Sequence, residues 1–180
     1  MQRRLEPELM NGDAQVQAYA VADFSSGDQA TLEAIQQLLL NTSPLPADPL
    51  VVDLGCGPGN ITLRLAELFP NARIIGIDGA ESMLALARER AQQQQLEISF
   101  LCQTLQDVLQ GPLLGQADLI VSNSLLHHLH QPDLLWTVSR ALAAPGCRVL
   151  HRDLRRPASD AEIEQLRLKH LPSAPEVLQH

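Results

Sequence analysis

Aromatic residues are scarce in this 180-residue chain: one Trp, one Tyr and three Phe make up 3% of it. The core must therefore be built from Leu, Ile, Val and Ala. RNA-binding platforms that stack bases on exposed aromatics are disfavoured. Cysteine is sparse too. Cys56, Cys102 and Cys147 are odd in number and no pair has CxxC spacing, which argues against a disulfide framework and a zinc site. Such usage predicts a reducing cytoplasm. Positive charge is short: 13 Lys+Arg against 21 Asp+Glu gives −8 with His neutral. No Lys or Arg occurs between Arg90 and Arg140. A phosphate backbone is not drawn to such a chain as a whole, so no nucleic-acid partner is expected. The basic residues Arg148, Arg152, Arg155 and Arg156 read as a solvated terminal segment. No apolar run approaches the roughly 20 residues of a membrane span. The opening MQRRLEPELM has charge but no apolar h-region, so neither a membrane anchor nor a signal peptide is expected.

What is present suits one globular domain. Apolar residues make up 45% and charged residues 19%, ordinary values for such a chain. Residues 1–27 are polar and irregular, with Leu5, Leu9, Tyr19 and Phe24 isolated among them. A helix is predicted from Asp28, a candidate cap, with Leu32, Ile35, Leu38 and Leu39 on one face. The connector NTSPLPADP ends it, because its prolines forbid helix and inner strand alike. Beyond it the texture changes. Apolar runs at Leu50–Leu54, Arg73–Ile77, Leu96–Cys102, Asp118–Val121 and Cys147–Leu150 alternate with helical segments at 62–69, 82–93 and 132–143. A last helix is predicted over Asp160–His170, followed by a frayed tail. Short apolar runs between helices signal βαβ units, and strands buried on both faces read as unbroken apolar runs. Ligands of such sheets bind at the carboxyl ends of the strands.

The segment VVDLGCGPGN, residues 51–60, lies at such an end. A strand enters Asp53, Gly55, Gly57 and Gly59 alternate, and a helix opens near Asn60. Glycines permit positive φ and close backbone approach to a ligand, though they also serve tight βα turns. The G-x-G-x-x-G dinucleotide fingerprint would need glycine at position 60. The spacing here is D-x-G-x-G-x-G, which resembles the first motif of class I S-adenosylmethionine-dependent methyltransferases. In IIGIDGAESML, Asp78 closes the second strand, 25 residues after Asp53. A carboxylate there suits two ribose hydroxyls, or it caps the next helix, a task Ser82 also suits.

The resemblance covers about residues 5–157 and implies a fold, a cofactor and roles. The fold is α/β, a Rossmann-like parallel sheet of strand order 3-2-1-4-5 with helices on both faces. The usual C-terminal antiparallel strand pair is missing from the pattern. The cofactor is S-adenosyl-L-methionine (SAM), with S-adenosylhomocysteine as product. Asp53 and the loop Gly55, Cys56, Gly57, Gly59 and Asn60 would hold the methionyl end, and Asp78 the ribose. Gly79 and Met83 would lie beside the adenine, although Met83 alone also reads as core. The Asp that relatives often place after the third strand is replaced by Gln103 and Thr104. The Gln103 carbonyl can still accept from an adenine amine, or lie on the surface. SNSLLHHLHQPDLL resembles the fourth motif, with Asn123 at the cofactor and His127 or His128 near the acceptor. His128, Tyr19 and Asp153 are the candidate catalytic groups, and His at such a place also caps or packs. His127 and His130 are spaced i,i+3 with no carboxylate or Cys beside them in the sequence, so no metal site is expected.

Three units are expected: an arm and helix over 1–49, with Tyr19, Asp23 and Phe24 as a lid; a SAM-binding domain over 50–157; and a terminal helix and tail over 158–180. The function so implied is in-line methyl transfer to a small-molecule acceptor. A SAM-binding protein without turnover, a NAD-dependent oxidoreductase and a nucleic-acid methyltransferase are the alternatives. Glycine spacing opposes the second and acidity the third. The fifth strand would be left as an open edge, which the last helix or a second subunit is expected to cover.

Overall fold

A computed structural model describes Gly12, Val16, Ala18 and residues 22–154 and 158–170. The elements run α1 (Ser25–Leu40), β1 (Leu50–Leu54), α2 (Asn60–Leu68), β2 (Arg73–Asp78), α3 (Glu81–Gln93), β3 (Ile98–Cys102), α4 (Leu105–Val108), β4 (Ala117–Asn123), α5 (Asp133–Leu142), β5 (Ala143–Arg152) and α6 (Asp160–His170). The five strands form one parallel sheet of order β3-β2-β1-β4-β5, as the motifs implied.

Side chains of a strand alternate between faces, and the core divides accordingly. Leu50, Val52 and Leu54 of β1 pack with Leu105 and Val108 of α4 and with Leu135, Val138 and Leu142 of α5. Val51 faces the other way, with Leu119 and Val121, against Ile35 of α1 and Ile61 and Leu65 of α2. β1 is buried along its whole length, which is why it reads as an unbroken apolar run.

Several local expectations are corrected. Helix α1 starts at Ser25, and Asp28 does not cap it: the carboxylate is buried 3.8 Å from the Arg64 guanidinium. Ser82 makes no capping bond on α3, and its buried hydroxyl has no hydrogen-bond partner among the described residues. Ala80 occupies that N-cap, and Asp78 accepts its amide. The short helix α4 is an unforeseen element. A reciprocal capping box builds it, with Thr104 Oγ1 accepting from the Asp107 amide and Asp107 Oδ2 accepting from the Thr104 amide. The fifth strand extends beyond the apolar run Cys147–Leu150: it begins at Ala143 and runs through Pro145 and Gly146. Its pairing slips between Ala117↔Ala143 and Leu119↔Arg148, so the Pro-Gly pair sits in an irregularity of the strand, with Gly146 at φ +82°. Among the described residues helix α6 makes no extensive contact with β5, and its Ile163, Leu166 and Leu168 do not form one apolar face.

Candidate functional site

The candidate site lies along the carboxyl ends of the strands. The glycine loop after β1 is tied down first. The Gly55 and Cys56 amides both donate to the Ile77 carbonyl, at 2.8 and 3.0 Å, and the Gly57 amide donates to Asp78 Oδ2 at 2.8 Å. The three glycines serve different ends. Gly55 has φ +68°, and a Cβ there would lie 2.6 Å from Leu125 Cδ1. Gly59, the left-handed N-cap of α2, packs so closely on α3 that a Cβ would sit 3.2 Å from that of Ala87. At Gly57, φ +51°, a Cβ would meet no atom of the described residues within 4 Å. The loop thus leaves open space above Gly57 and none beside its neighbours. Arg90 of α3 steadies it from behind, donating to the Pro58 carbonyl at 3.2 Å and to Asn60 Oδ1 at 2.8 Å.

Two carboxylates flank the loop in unlike surroundings. Asp53 is only 1% exposed and accepts from Thr62 Oγ1 at 2.6 Å, inside the protein. Burial pushes its pKa up to about 7, against the Thr62 bond and with help from the Asp78 charge. Asp53 is therefore a buried partner of Thr62 rather than a group on the open side of the loop. Asp78 is partly exposed, and each of its oxygens accepts one amide, from Gly57 and from Ala80. Burial raises its pKa too, while the Ala80 and Gly57 amides and the nearby His128 oppose that rise. An ionised carboxylate offers about four acceptor sites. Asp78 keeps spare acceptor capacity beside the open space at Gly57, so these residues fit an adenosyl ribose.

The remaining predicted cofactor residues are placed as follows. Gly79 follows Asp78 directly, and its carbonyl lies 3.7 Å from Cys102 Sγ. The Gln103 amide donates to the Asp78 carbonyl at 3.0 Å, drawing the end of β3 to the end of β2. Thr104 spends its hydroxyl on the α4 capping box. Met83 and Cys56 are buried at 2% and 7% exposure, and burial pushes the Cys56 thiol pKa well up. Their side chains belong to the packing under the loop. Asn123 ends β4, and its Oδ1 is engaged by Thr31 Oγ1 at 3.0 Å and Arg152 Nη1 at 3.4 Å. Arg152 also reaches the Gly27 carbonyl and Thr31 Oγ1, so one guanidinium pins α1 across the ends of β4 and β5.

The loop after β4 begins with Ser124 at φ +59°, a conformation that L-residues seldom hold. It brings His127 to Asp153, beyond β5, with Nδ1 2.7 Å from Oδ1. Asp153 also accepts the Leu126 amide at 2.6 Å and the Leu154 amide at 2.8 Å. His128 is buried, with its ring centroid 4.1 Å from that of His127. Both histidines and Asp153 therefore share one end of the sheet. Tyr19 lies outside the described residues. Sequence reasoning missed Thr31, Thr62, Arg90 and Arg152 as builders of the site. A threonine inside the apolar stripe of α1 was the one available signal.

Among the described residues no group of three His, Cys, Asp or Glu gathers as a metal site. No helix of the described residues is long and apolar enough to cross a membrane.

A family model described as a methyltransferase domain matches residues 51–146, and the chain belongs to that family. The strand order and the glycine loop agree: this is a class I SAM-dependent methyltransferase fold. The trans-aconitate 2-methyltransferase of Variovorax paradoxus is 44% identical over 111 residues, 61% of this chain and 40% of that protein. The protein of that name from Methylobacterium nodulans is 37% identical over 133 residues, 68% of this chain and 49% of its own length. The chain thus spans less than half the length of these curated relatives. A SAM-dependent methyltransferase from Aquifex aeolicus superposes with a TM-score of 0.64 at 18% identity, covering 84% of this chain and 83% of that one.

Proposed function

We propose that the chain binds SAM at the ends of β1, β2 and β3 and passes its methyl group to a small carboxylic acid seated at the ends of β4 and β5, leaving S-adenosylhomocysteine. The observation that carries this reading is the Gly57–Asp78 unit: a half-buried carboxylate with spare acceptor sites beside open space over a positive-φ glycine. The acceptor class follows from the relatives, whose names place the methyl on trans-aconitate.

In this reading Asp78 accepts the ribose hydroxyls. The backbone from Gly55 through Cys56, Gly57 and Gly59 to Asn60 lines the methionyl end, with Asp53 and Arg90 holding it in shape. Gly79, Met83, Gln103 and Thr104 surround the adenine side, and Asn123 stands between cofactor and acceptor. His128 and Asp153, with Tyr19 from the arm, are proposed for the acceptor side. When bound, SAM supplies a sulfonium methyl open to in-line displacement. The protein's task is alignment, which is worth about 7–11 kcal/mol in well-oriented reactions. A carboxylate acceptor is already ionised at neutral pH, so no strong base is needed.

The unit over 50–157 is proposed to hold the cofactor, with 1–49 as arm and lid and 158–180 as an appendage. A cytoplasmic location and a homodimer that covers the outer edge of β5 complete the proposal, without a nucleic-acid partner. Calorimetric titration with S-adenosylhomocysteine, SAM and NAD tests it. Binding of both adenosyl ligands and none of NAD is expected. Preference for NAD, or no S-adenosylhomocysteine binding, would reject it.

A further inference from the structure

Arg152 spends only one end of its guanidinium on the protein. Nη1 donates to the Gly27 carbonyl at 3.2 Å, to Thr31 Oγ1 at 3.1 Å and to Asn123 Oδ1 at 3.4 Å. All three acceptors are uncharged oxygens. Asp28, the buried carboxylate of the same helix, has Arg64 as its ion partner at 3.8 Å. Among the described residues no carboxylate pairs with Arg152, and its Nε and Nη2 have no partner. The residue is exposed. Pinning α1 accounts for Nη1 and leaves the opposite edge without a task. On that edge Nε–H and one Nη2–H point the same way, a planar fork that matches the two oxygens of a carboxylate. A guanidinium keeps its charge throughout the pH range of proteins.

The place of this cation matters. The loops that leave the carboxyl ends of β1, β2, β3 and β4, residues 55–59, 79–80, 103–104 and 124–132, contain no Lys or Arg. Arg152 is the last residue of β5 and pairs in register with Asn123, the last residue of β4. A chain of net charge −8 repels a multiply charged anion, so an anionic acceptor needs a local cation to seat it.

We infer that Arg152 determines acceptor specificity: its Nε–Nη2 fork holds one carboxylate of the acceptor, and the methyl goes to another carboxylate of the same molecule. This rests on the methyl-transfer reading above. Two charge-assisted bonds stabilise the charge on both oxygens of the held carboxylate and make them poor nucleophiles. The second carboxylate lacks those bonds and attacks. Its new O–CH3 bond forms as the S–CH3 bond breaks with its electron pair left on sulfur, and no proton is transferred. The acceptor is therefore a di- or tricarboxylate. A monocarboxylate seated in the fork has no second carboxylate to offer the methyl.

The test is calorimetric titration of the S-adenosylhomocysteine-saturated full chain with tricarballylate, a tricarboxylate, and with its uncharged trimethyl ester. The unaltered protein should bind the acid and not the ester. Arg152→Lys keeps a cation and a donor for α1 but loses the fork. It should weaken tricarballylate binding at least tenfold while S-adenosylhomocysteine affinity and melting temperature stay close to those of the parent. A variant that binds tricarballylate like the parent, or that loses both ligands together, would overturn the inference; the second result would mean that Arg152 is a clasp alone. Absence of S-adenosylhomocysteine binding by the unaltered protein would instead reject the cofactor reading beneath it. Arginine side-chain NMR of the unaltered protein gives an answer independent of any variant's folding. Tricarballylate should shift the Arg152 Nε–H resonance, and an indifferent resonance would overturn the inference. In turnover with SAM, glutarate should be methylated once and butyrate not at all, and a methyl ester of butyrate would contradict the two-carboxylate requirement.

Discussion

The Gly57 amide and Asp78 Oδ2, 21 residues apart in the chain, are joined by a 2.8 Å hydrogen bond that locks the glycine loop to the end of the second strand. One carboxylate thus shapes the loop and, in the proposed function, also accepts the ligand's hydroxyls. Asp78→Ala removes both contributions. Its affinity for S-adenosylhomocysteine, measured by calorimetry, should fall at least tenfold, about 1.4 kcal/mol. Unchanged affinity would reject the ribose role of Asp78.

Gly57 and Gly55 should respond differently to alanine. Both hold positive φ, so each substitution strains the backbone by about 1–2 kcal/mol. At Gly57 the added methyl enters open space, so stability should drop by about that strain. Ligand affinity should drop more, because the methyl stands where the ligand would approach. At Gly55 the methyl meets Leu125 Cδ1, so the stability loss should exceed that of Gly57→Ala and be partly relieved by a second change, Leu125→Ala. Thermal melts with and without S-adenosylhomocysteine separate the two patterns. Parallel losses at both positions would contradict them.

Asp53 makes stability depend on pH. Its folded pKa, about 7, is above the 3.8 of the free group, so the folded state binds the proton more tightly. The stabilisation is fully present below pH 3.8 and is lost as pH rises through 7. A shift of that size amounts to at most about 4 kcal/mol. Asp53→Asn keeps an acceptor for Thr62 and removes the charge. The difference in unfolding free energy between variant and parent should therefore grow in the variant's favour from pH 4 to pH 7, as read from urea melts. A pH-independent difference would show that Asp53 is not the titrating group.

Thr31 is fully buried and stands between Asn123, Gly27 and Arg152. Thr31→Val keeps the shape and removes the hydroxyl, leaving Asn123 Oδ1 and Arg152 with a partner fewer. Such a loss costs about 1–3 kcal/mol when the orphaned groups are buried. Denaturant unfolding should show this without a change in slope. A neutral Thr31→Val would mean that Arg152 alone pins the helix.

The strands and their order were legible because a parallel sheet buries both faces and leaves continuous apolar runs, as β1 shows. The D-x-G-x-G-x-G loop was legible because positive φ selects glycine at fixed places. The caps were not. Asp28 and Ser82 stand where capping residues stand, but Asp28 found Arg64, and Asp78 took the Ala80 amide that opens α3. Local spacing says nothing of such partners. His127 and His128 are chemically alike in sequence. The chain path after Ser124 and the position of Asp153 decide which ring meets the carboxylate. The roles of Arg90 and Arg152 depend on groups more than 25 residues away and leave no periodic trace.

The Arg152 clasp has a kinetic consequence. Its bond to Thr31 closes a loop of 121 residues, and that from Thr31 to Asn123 one of 92, whereas the bond between glycine loop and Asp78 spans 21. Long loops lose more entropy on closure and so slow the steps that need them. The half of the sheet around β1 and β2 is therefore expected to order first, and the clasp over β4 and β5 to close last. Pulse-labelled hydrogen exchange should find the amides of β1 and β2 protected before those of α1. A refolding chain would then shape its glycine loop while the ends of β4 and β5 are still open to water.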